Sequence, residues 1–314
     1  MKQVIKYKSR EEWLANRSNG IGASEVGTIL GLNPFETPYQ LWRRKKGLDA
    51  PKIENFAMRA GHYLEDAVAH FFADDTEAYI IKNTTDDFTI RSVEKPFLQV
   101  SPDRLFWWKG SKHTEKRKAV LECKTTQLQI DPDNLPKHWF CQLQMNMGVG
   151  EYQDGALAWL TQGREFNYRI ITFDKDFYEW MVGEVEDYWY RYIVGDEEPQ
   201  ATTADDILMK FPHEQHGKII QATEDIQGLL YQLRTLKDTG KELQLQTKEI
   251  EDNIKVYLGD AEALVDNTGK VLATWKTAKP TKKFDLKALE ADYSPHDLAR
   301  YYYEQEGTRR LLIK

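Results

Sequence analysis

The run Ala119-Val120-Leu121-Glu122-Cys123-Lys124 constrains this chain more than any other stretch. Its apolar positions and β-forming residues read as a strand, yet two charged side chains stand within it. On a strand alternate residues share a face, so Glu122 and Lys124 point one way and Leu121 and Cys123 the other. Nineteen positions before Glu122 lies Asp103, in Ser101-Pro102-Asp103. The intervening sequence reads as a strand from Asp103 to Trp108, a turn at Lys109-Gly110 and the Glu122 strand. If the two strands pair, two carboxylates and a lysine meet at one sheet edge. One outcome is a solvated salt-bridge group. The other is a metal site, because Mg²⁺ takes a few carboxylate oxygens and completes its shell with water and phosphate oxygens.

The surrounding pattern is that of a mixed α/β chain. Short helices are expected over 11–50, with Ser24 as an N-cap after Gly20-Ile21-Gly22-Ala23 and Pro38 opening the next helix. A longer helix over Phe56 to Phe72 carries Ala60, Leu64, Val68 and Phe71 at helical spacing. Strands are expected at Tyr79–Ile81, Phe88–Ile90, Phe97–Val100, Ala156–Leu160 and Tyr168–Ile171, and helices at Pro136–Met147 and Asp176–Ile193. After Pro199 the texture turns polar and heptad-like. Residues 217–258 read as a long helix or helical hairpin, followed by a β-hairpin around Asp266-Asn267-Thr268-Gly269. The expected division is an α/β domain over 1–203 and a C-terminal extension over 204–314.

Composition narrows the class. With 314 residues and 41% hydrophobic content a large core can form. Two cysteines, Cys123 and Cys141, exclude a disulfide framework and fit a reducing cytoplasm. No run is long and apolar enough to span a bilayer, and no Walker-type glycine loop points to ATP. The net charge of −7 argues against a nucleic-acid binder until its distribution is read. Residues 1–50 hold 9 Lys/Arg against 5 Asp/Glu, whereas 174–206 hold 11 Asp/Glu against 2 Lys/Arg. A basic and an acidic face can therefore coexist.

Other candidates carry two readings each. Glu65, in Gly61-His62-Tyr63-Leu64-Glu65, is a further metal carboxylate or a surface glutamate, and Gly61 inside a helix hints at close packing. Gln142 contacts the lysine, a water or DNA, or is a plain polar position. Trp139 stacks on a base or sits in the core. Arg43-Arg44-Lys45-Lys46 tracks a DNA backbone or is a solvated helix end, and Lys116-Arg117-Lys118 is a solvated loop. His138 is the one histidine near the site.

Taken in order, Trp13 to Ser24, Gly31-Leu32-Asn33-Pro34-Phe35, Thr37 to Trp42, Gly61 to Glu65, Ser101-Pro102-Asp103, Leu121 to Lys124 and Gln142-Leu143-Gln144 resemble the lambda exonuclease and YqaJ-type phage recombination nucleases. These belong to the PD-(D/E)XK superfamily, and the likeness covers about 11–160. The resemblance implies a restriction-endonuclease-like core, with a central mixed sheet flanked by helices. It implies Mg²⁺, with Mn²⁺ substituting, on Asp103, Glu122 and the Cys123 carbonyl, and Glu65 as outer carboxylate. Lys124 would assist the nucleophilic water and Gln142 position it. Arg17 and Ser24 would grip a DNA phosphate, as a bidentate guanidinium and a helix N-terminus suit. It implies 5′-to-3′ digestion of double-stranded DNA ends, a single-strand annealing protein as partner, a homo-oligomer in the form of a trimeric ring, and a phage or prophage origin. A PD-(D/E)XK endonuclease or nickase, and a non-catalytic DNA-end-binding module, are the alternatives.

Overall fold

The computed structural model describes residues 1–50, 55–81, 88–110, 117–305 and 307–313. They divide into two compact units, Met1–Lys210 and Phe211–Lys314. Lys116 of the expected basic loop lies outside the described residues.

In the first unit the strands are β1 (Lys2–Lys6), β2 (Ile21–Gly22), β3 (Tyr79–Ile81), β4 (Phe88–Ser92), β5 (Leu98–Val100), β6 (Arg104–Trp107), β7 (Ala119–Thr126), β8 (Asp154–Thr161) and β9 (Glu165–Thr172). The helices are α1 (Arg10–Arg17), α2 (Ala23–Ile29), α3 (Pro38–Lys45), α4 (Phe56–Thr76), α5 (Lys137–Gly150), α6 (Lys175–Tyr188) and α7 (Ala204–Lys210). The five-stranded sheet has the order β3-β6-β7-β8-β9. It is mixed: β7 runs parallel to β8 and its other pairs are antiparallel. The parallel step follows from the crossover through α5, which a hairpin cannot make.

Alternation along β7 sorts the core. Val120 faces a cluster with Leu143 and Met147 of α5, Met181 of α6 and Val26 of α2. Leu121 and Cys123 face the other cluster, with Val68, Ala69 and Phe72 of α4. The buried stripe of α4 is thus Val68, Ala69 and Phe72, not the expected series, since Leu64 and Phe71 are exposed. The spacing was helical, but the stripe is rotated by one residue.

Three features depart from the sequence reading. The expected strands do not all join one sheet: β4 and β5 form a second sheet, β1-β4-β5-β2, in which β4 pairs with the N-terminal strand. Helix α6 passes into a π-helical turn, Trp189–Val194, where Trp189 stacks on Phe97 with ring centroids 5.5 Å apart. The first unit also takes in α7, beyond the expected boundary at 203/204. Asp206 is buried there and accepts hydrogen bonds from Thr37 and Gln40.

In the second unit α8 (Glu224–Leu258) is one unbroken helix of 35 residues, passing through Gly228 and Gly240. Strands β10 (Ala263–Val265) and β11 (Val271–Thr274) form the expected hairpin, its turn closed by Asp266. Short helices α9 (Leu286–Asp292) and α10 (Pro295–Leu298) follow.

Candidate active site

Strands β6 and β7 pair antiparallel with Arg104 opposite Leu121. Extending that register by one residue sets Asp103 level with Glu122. The Asp103 Oδ2 atom accepts a 2.8 Å hydrogen bond from the Cys123 amide, which fixes the carboxylate at the strand end. Glu122 is fully buried, and Lys124 donates to it at 3.1 Å.

The next helix completes the group. Gln142 Oε1 accepts from Lys124 at 2.9 Å, while its Nε2 donates to Glu122. One turn on, buried Asn146 donates to the other Glu122 oxygen. Sequence reasoning missed Asn146. Its signal was the i, i+4 spacing from Gln142, which puts both amides on one helix face. Gln144, by contrast, points away and pins the helix to the β9–α6 junction through Thr172 and Asp174.

Glu65 sits on α4 between His62, 3.6 Å away, and Arg104, 3.7 Å away. Arg104 is buried and also pairs with Asp66 at 2.7 Å. It was not anticipated, because a strand arginine beside an aspartate carries no pattern until α4 is packed over it. Gly61 does not mark a tight approach: a Cβ there would meet its nearest atom, Thr125 Oγ1, at an ordinary 3.6 Å.

One open cavity of about 580 Å³ gathers these residues, lined by Glu65, Asp103, Cys123, Lys124 and Gln142 together with Arg17 and Ser24. Arg17 donates to Ser24 Oγ at 2.6 Å and lies 5.0 Å over the Trp13 ring. Ser24 is not the N-cap. Gly22 holds that place, and its amide is satisfied by Glu25 at 2.8 Å, leaving the Ser24 hydroxyl exposed in the first turn of α2.

Behind this wall lies a charge cluster that replaces the expected basic run. Lys45 is buried, 2.8 Å from Glu25, and donates to the Arg17 and Gly20 carbonyls. Arg44 bridges Glu25 and Glu36, and Arg43 pairs with Asp49. Arg43, Arg44 and Lys45 are thus tied to carboxylates of the same unit, with Lys45 buried and Arg44 and Lys46 exposed at the helix end. Trp139 is likewise core, 6.4 Å from Trp159 between ring centroids. His138 packs against Gly27, where a Cβ would come within 2.5 Å of the His138 Cβ. Burial, then Lys124, lowers its pKa.

The electrostatics set the Glu122 region apart. Burial raises the Glu122 carboxyl, Asp103 raises it further, and Lys124 pulls back only in part. For Lys124, burial favours the neutral amine, but Glu122 and Asp103 outweigh it and hold the ammonium. Burial also keeps Cys123 a neutral thiol. Among the described residues no three acidic, histidine or cysteine side chains form a complete metal cage. The donor set still fits Mg²⁺, which is held by one or two carboxylates while keeping several waters. Asp103 raises the Glu122 carboxyl in this buried setting, and a dication held by the two carboxylates would relieve that repulsion.

Adjacent strands bearing Pro-Asp and Glu-x-Lys on a mixed sheet, with α5 supplying the next polar residue, are the arrangement that the resemblance to the PD-(D/E)XK superfamily implies. Residues 12–153 match the family model described as a YqaJ-like viral recombinase domain. The chain is 29% identical to YqaJ of Bacillus subtilis (strain 168), covering 98% of this chain and 94% of that one. Among solved structures it is similar to an alkaline exonuclease, LHK-Exo, from Laribacter hongkongensis. That likeness has 16% identity and a TM-score of 0.43, over 59% of this chain and 93% of that chain. A phage related exonuclease from Haemophilus somnus 129PT is similar at 13% identity and a TM-score of 0.41, over 56% and 94%.

Proposed function

We propose that this chain is a Mg²⁺-dependent deoxyribonuclease that hydrolyses phosphodiester bonds from double-stranded DNA ends in the 5′-to-3′ direction. Its product would be a 3′ single strand for homologous recombination by annealing. The observation that carries this reading is the junction, in one cavity, of Asp103 and Lys124, the lysine bonded to Glu122 beneath it, with the Arg17–Ser24 pair. The first holds a cation and the second an anion, as phosphodiester hydrolysis needs.

Asp103, Glu122 and the Cys123 carbonyl would hold the metal, with Glu65 as outer carboxylate. When bound, Mg²⁺, or Mn²⁺ in its place, supplies Lewis acidity and a more acidic water. Lys124, kept protonated by its two carboxylates, orients that water and meets charge growing on the phosphate. Gln142 fixes the lysine head through its carbonyl and the Glu122 carboxylate through its amide. Arg17 grips a terminal phosphate by its planar fork, and the Ser24 hydroxyl adds a donor in the first turn of α2. A recombinase domain supports strand exposure as the purpose of the cutting, with a single-strand annealing protein as the receiver of the product.

Digestion of a 5′-labelled linear duplex beside its covalently closed circle tests the mode. Release of label from the linear form alone, in Mg²⁺ and not in EDTA, is expected. Cutting of the circle makes the protein an endonuclease or nickase. Duplex bound without product makes it an end-binding module.

A further inference from the structure

Of the 35 residues of α8 only Leu258 is buried. Its apolar residues are nonetheless not scattered. Leu229, Leu236, Leu243, Ile250 and Tyr257 recur every seven residues. Ile226, Leu233, Gly240, Thr247 and Ile254 precede them by three, giving the a and d positions of five heptads. Leu236, Leu243 and Ile250 stand 69%, 57% and 61% exposed. A strict seven-residue repeat keeps its stripe toward a partner only if two helices wind round each other. A stripe about 50 Å long at 1.5 Å per residue needs a partner helix of like length. The remaining helices described in this unit, α9 and α10, have 7 and 4 residues.

We infer that α8 pairs with α8 of a second copy of this chain, as an antiparallel two-stranded coiled coil. Two observations choose that occupant. Charged residues flanking a seam normally select a foreign partner. Here one flank, Gln232, Thr239, Gln246 and Asn253, is uncharged but for Asp225 at its end, and the other carries only Lys237 and Glu251, which are of opposite sign, so no row of like charges repels a second copy. The seam itself chooses the direction. Side by side in parallel, Gly240 would face Gly240 and Thr247 would face Thr247, leaving the layers on both sides of Leu243 without large apolar side chains. Turned end for end, Gly240 meets Leu243 and Thr247 meets Leu236. Leu233 then meets Ile250, Leu229 meets Ile254, and Ile226 meets Tyr257. Every layer gains at least one large apolar side chain, and each small residue opposes a large one, as close packing requires.

The pairing does not depend on the proposed catalysis, and the full-length chain tests it. Leu229→Cys with Ile254→Cys puts two thiols on one helix about 38 Å apart at 1.5 Å per residue, too far for a disulfide within the chain. The native cysteines are buried and stay out of the reaction. Under mild oxidation at low protein concentration the double variant is expected to run at twice the chain mass on a non-reducing denaturing gel. Leu229→Cys alone stays monomeric, and adding Leu236→Glu and Leu243→Glu to the double variant removes the cross-link. A cross-link from Leu229→Cys alone would make the pairing parallel and overturn the proposal. So would the absence of a cross-link in the double variant, or one that survives the two glutamates.

Discussion

The first unit buries two glutamates, and they are opposites. Glu25 lies behind the Arg17–Ser24 wall and Glu122 beneath the cavity, bonded to Lys124 and Gln142 of its lining, each almost fully removed from water. Burial alone raises both carboxyls. At Glu25, Lys45, Arg17 and Arg44 more than reverse this and bring the pKa down to about 2. At Glu122 one lysine faces burial together with Asp103 and Glu65, and the pKa stays raised. A buried charge is tolerated when it is paired and hydrogen-bonded. Glu25 meets that condition within the protein, and Glu122 is still short of positive charge. The first is a structural tie, and the second is where the proposed function puts a cation. The same contrast separates two lysines: Lys45 is spent on the fold, whereas Lys124 opens on the cavity.

Removing the charged head of Lys124 tests the functional side hardest. Lys124→Ala is expected to lower single-turnover DNA cleavage roughly a thousandfold, as loss of one preorganised transition-state donor does, with duplex binding retained. Cleavage within tenfold of wild type would exclude Lys124 from the chemistry.

Stability should divide the two glutamates next. Glu25→Gln leaves buried Lys45 without its counter-ion, and is expected to cost about 3–5 kcal/mol in chemical denaturation. Glu122→Gln removes a repelled carboxylate and keeps amide partners in Gln142 and Asn146, so a change within about 1 kcal/mol is expected, with activity lost. Equal losses would dissolve the comparison.

The pH dependence of folding carries a signed version of it. The Glu25 carboxyl is depressed in the folded state, so its contribution is full above its ordinary value of 4.5 and is lost as pH falls toward about 2. Over that acid range wild type should lose stability relative to Glu25→Gln, narrowing the gap between them. A gap constant from pH 6 to pH 3 would show that Glu25 is not held ionised.

A smaller effect is expected at the cavity wall. Arg17→Ala should reduce the preference for 5′-phosphorylated over 5′-hydroxyl duplex ends by about tenfold to a hundredfold, the worth of a charged hydrogen bond. Unchanged preference would remove the phosphate role from this pair.

The sequence exposed the part of the site that obeys a local period. Alternation put Glu122 and Lys124 on one face of β7, the turn after Trp108 brought Asp103 beside them, and Gln142 lay one crossover later. The heptads of α8 were visible for the same reason. What stayed hidden depends on distant pairing. Lys45 reads as one more charge in a basic run until α3 packs against the loop carrying Gly20 and Glu25. Arg104 needs α4 above it, and the second sheet needs the N-terminal strand beside β4. Ser24 looked like a cap because serine commonly is one, but Glu25 reaches back to Gly22 and takes the role.

The most direct test of the contrast is the thermal midpoint on titration with Mg²⁺, for wild type, Asp103→Asn and Glu25→Gln. Binding to the folded state alone adds about 2.7 kcal/mol at a hundred times the dissociation constant. Wild type and Glu25→Gln should therefore rise by several degrees from their own starting points, while Asp103→Asn stays flat. A rise of equal size in Asp103→Asn, or no rise in wild type, would contradict a cation site at Asp103 and Glu122.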